Sequence, residues 1–226
     1  MFFWRRKVPL PPVVEAYLNG TPKRIPGKTP LAELLFIVLD CETTGFNSTQ
    51  DRILSLAIAE LRNGRLHIAR SAAWLLQQNR PVTKSVSVHG ILPSDTAFGE
   101  PEPSMLVELL PRLQGAIVVG HHIGFDIAML NAALKRHFQI TLRNQVLDTA
   151  RFAASAVEAF ARTGYPGQRE PTLDEVCAQC GIAPIDRHTA EGDTFTTATL
   201  FLAMCARRQR QLGRPLRAND LPLGPA

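Results

Sequence analysis

The sequence predicts an α/β domain on a mixed sheet. Three strand-like segments come one after another, and two short apolar runs follow, each leading into helical periodicity. Acids stand where the first strand ends and where two helices begin. At 226 residues, 45% hydrophobic and 20% charged, the chain can bury a full core, which sets aside disordered and fibrous classes. No run approaches the roughly eighteen apolar residues of a membrane span. The opening Met1-Phe2-Phe3-Trp4-Arg5-Arg6-Lys7 has its apolar residues ahead of its charges, unlike a secretory signal, so a cytoplasmic location and no membrane partner are expected.

In chain order, residues 1–30 hold Pro9, Pro11, Pro12, Pro22, Pro26 and Pro30, which predict an extended, Pro-rich basic arm with at most a short helical turn near 13–18. Residues 31–210 read as the main domain and 211–226 as a basic tail. The run Leu34-Leu35-Phe36-Ile37-Val38-Leu39 predicts a strand buried on both faces, ending in Asp40-Cys41-Glu42. Residues 53–61 predict a second strand. Asn63-Gly64 then predicts a hairpin that returns the chain antiparallel from Leu66. A Pro-rich loop over 93–103, a helix over 104–114 and a short buried strand over 116–120 follow. Next come a helix with Ile127, Leu130, Leu134 and Phe138 on one stripe, a strand over 145–148 and a helix over 152–162. Gly164, Pro166 and Gly167 mark a loop, and Thr172 with Glu175 has capping-box spacing for a helix stopped by Gly181. The last helix opens after His188 and carries Leu200, Phe201 and Met204.

Side chains alternate along a strand, so Asp40 and Glu42 project to one side. Two such carboxylates are either solvated at a strand end or share a cation, and oxygen-only ligands suit Mg²⁺ or Mn²⁺. Asp126 falls in the first turn of a helix, where an acid also serves the helix dipole. His188 and Asp193 flank the entrance of the last helix. Cys177 and Cys180 form a CxxC, but with no second pair at zinc-like spacing they read as two helix residues three apart. Net charge is +5 with a pI near 9.3, and the excess lies at the two ends, which fits either solubility or a polyanionic partner.

Taken together, Phe36-Ile37-Val38-Leu39-Asp40-Cys41-Glu42-Thr43-Thr44-Gly45-Phe46, Gly120-His121-His122-Ile123-Gly124-Phe125-Asp126 and His188-Thr189-Ala190-Glu191-Gly192-Asp193 resemble the three motifs of the DEDDh 3′-to-5′ exonucleases. The best-known members of that family are the proofreading subunits of bacterial replicative polymerases. Ser87-Val88-His89-Gly90-Ile91 matches a further recurrent segment, and the likeness spans residues 34–204. The resemblance implies a ribonuclease-H-like fold, a mixed sheet of about five strands with the first three antiparallel and helices on both faces. It implies two divalent metal ions, Mg²⁺ or Mn²⁺, held by Asp40, Glu42, Asp126 and Asp193. Asp40 would bridge both ions, Glu42 and Asp193 would serve the nucleophile-side ion, and Asp126 would serve the second, directly or through water. His188 would be the general base, since an imidazole ordinarily titrates near neutrality.

Substrate contacts implied in the same way are Thr43, Thr44, Gly45 and Phe46 around the terminal nucleotide, with His122 and Phe125. Phe46 would stack on a base or cover the sheet end, and His89 lines the pocket or ends a loop. His122 departs from many relatives, which carry Asn there. The expected partner is nucleic acid, DNA ahead of RNA, together with a replication or repair protein; Asn219-Asp220-Leu221-Pro222-Leu223 is faintly similar to clamp-binding peptides but lacks their leading Gln. The implied reaction is release of nucleoside monophosphates from the 3′ end of single-stranded or frayed DNA. The alternatives are the same chemistry on RNA or short oligoribonucleotides, and a non-catalytic polymerase-associated scaffold, whose signature would be lost acids or a lost His. All five positions are filled here.

Overall fold

The apolar run forms β1 (Leu35–Thr43), and it lies inside a six-stranded sheet of order β3-β2-β1-β4-β5-β6. The other strands are β2 (Ile53–Arg62), β3 (Arg65–Leu75), β4 (Ile117–Gly120), β5 (Gln145–Asp148) and β6 (Leu223–Pro225). The computed structural model describes residues 9–78, 86–161 and 168–226. The loop expected at Gly164, Pro166 and Gly167 lies outside them.

β1 pairs antiparallel with β2 and parallel with β4, so it is hydrogen-bonded on both edges, as its unbroken apolar composition requires. The β2–β3 hairpin closes at Arg62↔Arg65 through Asn63 and Gly64, both left-handed, which is the turn the Asn-Gly pair predicts. β5 runs parallel to β4, and the final residues return antiparallel along β5. The expected five strands are therefore six: the sixth comes from the segment read as a tail, too short and too rich in Pro and Gly to announce a strand.

Helices cover both faces. α1 (Pro12–Gly20), α4 (Glu102–Leu113) and α5 (Gly124–Phe138) pack Val14, Tyr17, Leu106, Leu109 and Leu130 against Ile37 and Leu39 of β1. The alternate residues Phe36 and Val38 face α6 (Thr149–Ala156), α7 (Leu173–Cys180) and α8 (Ala190–Leu212), where Phe36 and Phe152 both meet Phe201, at centroid distances of 5.0 and 6.0 Å. Two single-turn helices, α2 (Val86–His89) and α3 (Pro93–Thr96), precede α4.

Four helices differ from expectation. The arm contains the two-turn α1, started by Pro12 at a position where proline is preorganised for a helix. α3 interrupts the predicted 93–103 loop, and α4 begins at Glu102 with Pro103 in its first turn. α6 leaves β5 directly at Thr149, because Asp148 caps it by accepting from the Ala150 amide at 2.9 Å, and it ends at Ala156. The α7 capping box forms as read, with Thr172 Oγ1 accepting from Glu175 N and Glu175 Oε2 accepting from Thr172 N. Cys177 and Cys180 are free thiols on that helix. Among the described residues no helix is long and apolar enough to cross a membrane.

Candidate active site

Asp40 and Glu42 share the side of β1 that carries Phe36 and Val38, so they face α8. α8 begins there: Thr189 caps it by accepting from Gly192 N at 3.0 Å, and Asp193 stands in its first turn. Strand end and helix start bring Asp40, Glu42 and Asp193 together with one carboxylate oxygen from each within 4.8 Å of the others. Asp126, in the first turn of α5, is buried beside them and accepts from the Cys41 amide at 3.0 Å.

These carboxylates repel and are short of water. Burial first, then Asp126, Asp193 and Glu42, push Asp40 well above the usual carboxylate range. Burial, then the charges of Asp193 and Asp126, raise Glu42 to about 7, and burial raises Asp126 to about 7. A hard, oxygen-only donor set with this much uncompensated charge fits a divalent cation of the Mg²⁺ or Mn²⁺ type. Sequence reading grouped Asp126 with the other three acids; the tight trio forms without it.

The carboxylates lie in an open cleft of about 860 Å³ that every residue expected at the site helps to line. His188 sits on the rim, exposed, with φ 64°, and its amide donates to Asp193 Oδ2 at 3.3 Å. His122 is also left-handed, at φ 54°, which His and Asn tolerate better than most residues. Its amide donates to Asp148 Oδ1 at 3.1 Å, its half-exposed ring packs on His121 with centroids 4.5 Å apart, and Glu170 lies 4.0 Å away. His121 is a partly buried brace: Nε2 donates to Pro171 O and Nδ1 accepts from Thr149 Oγ1, while burial and then His122 lower its pKa to about 4.

His89 is buried at the end of α2 and lines the cleft. Its Nδ1 accepts from the Ile91 amide at 3.0 Å, so Nε2 carries the proton, and that buried Nε2 has no hydrogen-bond partner among the described residues. Phe46 is 92% exposed, so it does not cover the sheet end, and its ring meets Phe125 at 5.8 Å. Thr43 and Thr44 spend their hydroxyls on the loop: Thr43 donates to Gly45 O, and Thr44 donates to Asp51 Oδ1 while accepting from Arg52 N. Gly45 is small because Asp51 is close, with Oδ2 only 2.6 Å from where a Cβ would stand. Asp51 itself escaped sequence reading, because its bond to Thr44 is a tertiary feature with no spacing signature. Arg187 also escaped, although it adjoins His188: its guanidinium donates to both Asp174 and Asp193.

The chain was compared with known proteins. Residues 37–201 match the RNase_T family, described as Exonuclease. A DNA polymerase III subunit epsilon-like protein of Rhodobacter capsulatus is 33% identical over 184 residues, covering 78% of this chain and 24% of the relative. A DNA polymerase III PolC-type protein of Thermotoga maritima is 26% identical over 194 residues, covering 84% of this chain and 13% of the relative. The chain thus spans a quarter or less of the length of these two relatives. Among solved structures, E. coli exonuclease I in complex with a dT13 oligonucleotide has a TM-score of 0.63 at 17% identity, over 80% of this chain and 43% of that one. Exonuclease X in complex with 5′-overhanging duplex DNA has a TM-score of 0.54 at 17% identity, over 79% of this chain and 93% of that one. These two share the fold.

Proposed function

The chain belongs to the RNase_T exonuclease family, and from that premise we propose that it hydrolyses DNA from the 3′ end by a metal-assisted reaction with His188 as general base. The observation that carries the reading is the trio Asp40, Glu42 and Asp193, gathered within 4.8 Å in a cleft that also holds Asp126 and His188. Asp40, Glu42 and Asp193 would hold one divalent ion, and Asp40 with Asp126 a second. Bound there, the ions would neutralise charge on the phosphate oxygens as it develops in the transition state.

The chain's own groups do the rest. His188, exposed at the cleft rim, takes the proton from the attacking water. The water oxygen bonds to phosphorus, the bond from phosphorus to the 3′ oxygen breaks, and the shortened strand leaves with that oxygen while a nucleoside 5′-monophosphate is released. The exposed Phe46, backed by the partly buried Phe125, offers an aromatic face on which the terminal base stacks. The Nε2–H of His89, which has no partner among the described residues, donates to an oxygen acceptor of the nucleotide. DNA as substrate is supported by the polymerase III names of the relatives and by the DNA bound to exonucleases I and X.

The test uses 5′-labelled single-stranded DNA and RNA of one sequence, each with a free or a blocked 3′ end, in Mg²⁺ or EDTA. The reading expects a ladder on free-ended DNA in Mg²⁺ alone, slower loss of RNA, and protection by the block. Equal cutting of blocked DNA would refute the polarity, and faster loss of RNA would refute the DNA assignment.

A further inference from the structure

Arg187 is a cation built into the margin of an acid-rich cleft. Its Nε donates to Asp174 Oδ1 at 2.7 Å, its Nη2 reaches Asp174 Oδ2 at 3.4 Å, and its Nη1 donates to Asp193 Oδ1. One planar group therefore links α7, which carries Asp174, to the trio's member on α8. Only 25% of the Arg187 side chain and 11% of the Asp193 side chain are exposed.

The backbone around Arg187 is held as firmly. Asp186 and His188, its neighbours, are both left-handed, at φ 37° and 64°. Thr189 Oγ1 donates to Asp186 O at 2.7 Å and Ile185 N donates to Thr196 Oγ1 at 3.0 Å. Gly192 lets the turn press on the helix, since a Cβ there would stand 2.2 Å from Asp186 O. Residues 185–189 are thus clamped onto the start of α8 at both ends.

We propose that Arg187, anchored by Asp174, is a positioning residue for the metal centre: it fixes the orientation of the Asp193 carboxylate beside Asp40 and Glu42. The inference rests on the metal-centre reading above. It opposes simple electrostatics. Removing a positive charge next to three carboxylates would by itself tighten cation binding, whereas removing the group that orients a ligating carboxylate weakens it, typically by about 10–100-fold. Oδ1 of Asp193 is committed to Arg187, and among the described residues Oδ2 keeps only the 3.3 Å bond from the His188 amide, so the guanidinium is what sets the carboxylate's rotation.

The experiment is Mn²⁺ titration of the EDTA-stripped full chain, reading free Mn²⁺ by electron paramagnetic resonance, for wild type, Arg187→Ala, Arg187→Lys and Asp174→Asn. Arg187→Ala should weaken Mn²⁺ binding by about 10–100-fold, Arg187→Lys by less, and Asp174→Asn by several-fold with the guanidinium retained. Unchanged or tighter binding in Arg187→Ala overturns the proposal. Should that variant not fold, Asp174→Asn decides: its side chain is 59% exposed, and wild-type affinity there overturns the proposal too. Wild type that binds no Mn²⁺ would instead refute the metal centre itself.

Discussion

Glu42 and Asp126 carry carboxyl groups raised to about 7, far above where they titrate in an unfolded chain, and that difference has a sign. A folded-state pKa above the unfolded one stabilises the fold while the group is protonated, and the contribution is lost as pH rises through the folded value. EDTA-treated protein is therefore expected to lose melting temperature between about pH 4, where the unfolded chain gives up these protons, and about pH 8, and Mg²⁺ or Mn²⁺ to restore it increasingly toward the alkaline end. Differential scanning fluorimetry across that range checks it, and a metal-induced shift that grows toward acid pH would contradict the account. If His188 is the general base proposed here, His188→Ala is expected to lower kcat by about 10²–10⁴-fold while leaving Mn²⁺ affinity near wild type. The residues of this site were legible because their spacing is local: strand alternation put Asp40 and Glu42 on one side, and caps put Asp126 and Asp193 in first turns. Asp51 and the second role of Asp193, as the acceptor of Arg187, depend on contacts between elements, which spacing does not report.

At the scale of elements, composition misled where it argued from breakers. Six prolines suggested an extended arm, yet Pro12 starts a helix whose Val14 and Tyr17 are fully buried. Tyr17 Oη donates to Asn144 Oδ1 at 2.6 Å and accepts from the Arg143 amide at 2.8 Å, which joins α1 to the segment before β5. Tyr17→Phe leaves two buried polar groups without their partner, so a loss of about 1–3 kcal/mol is expected in denaturant unfolding, with kcat unchanged. A loss below about 0.5 kcal/mol would show α1 to be loosely attached. Where the signal was local chemistry, in the Asn63-Gly64 hairpin and the Thr172–Glu175 capping box, the element formed as read.

The whole molecule shows what the basic ends do. Arm and tail bind each other through Ala218 N donating to Thr29 O and Asn219 N to Gly27 O, and Leu31 N at the start of the main domain donates to Leu216 O. Leu221, in the clamp-like stretch, is buried in the fold rather than displayed. Arg207 and Arg208 donate to the carbonyls of Gln179 and Ser155 near the ends of α7 and α6, and Arg214 grips Asp220 with two bonds of 2.8 Å. Arg207 and Arg208 stand in the last turns of α8 and Arg214 just past its end, with Arg207 about 20 Å along the helix axis from Asp193 at the cleft. Within the fold, these three arginines serve carbonyls at helix ends and an ion pair. Arg207→Gln with Arg208→Gln is expected to lower the melting temperature and to leave KM for a DNA oligonucleotide within about twofold; a large rise in KM would place substrate on that surface.

The central claim is that Asp40, Glu42 and Asp193 form a metal centre. The most direct measurement is anomalous X-ray diffraction from crystals soaked in Mn²⁺. The account predicts a peak bounded by oxygens of those three carboxylates, lost in Glu42→Gln. A nuclease-active protein whose crystals show Mn²⁺ only elsewhere, or no Mn²⁺ at millimolar concentration, would contradict it.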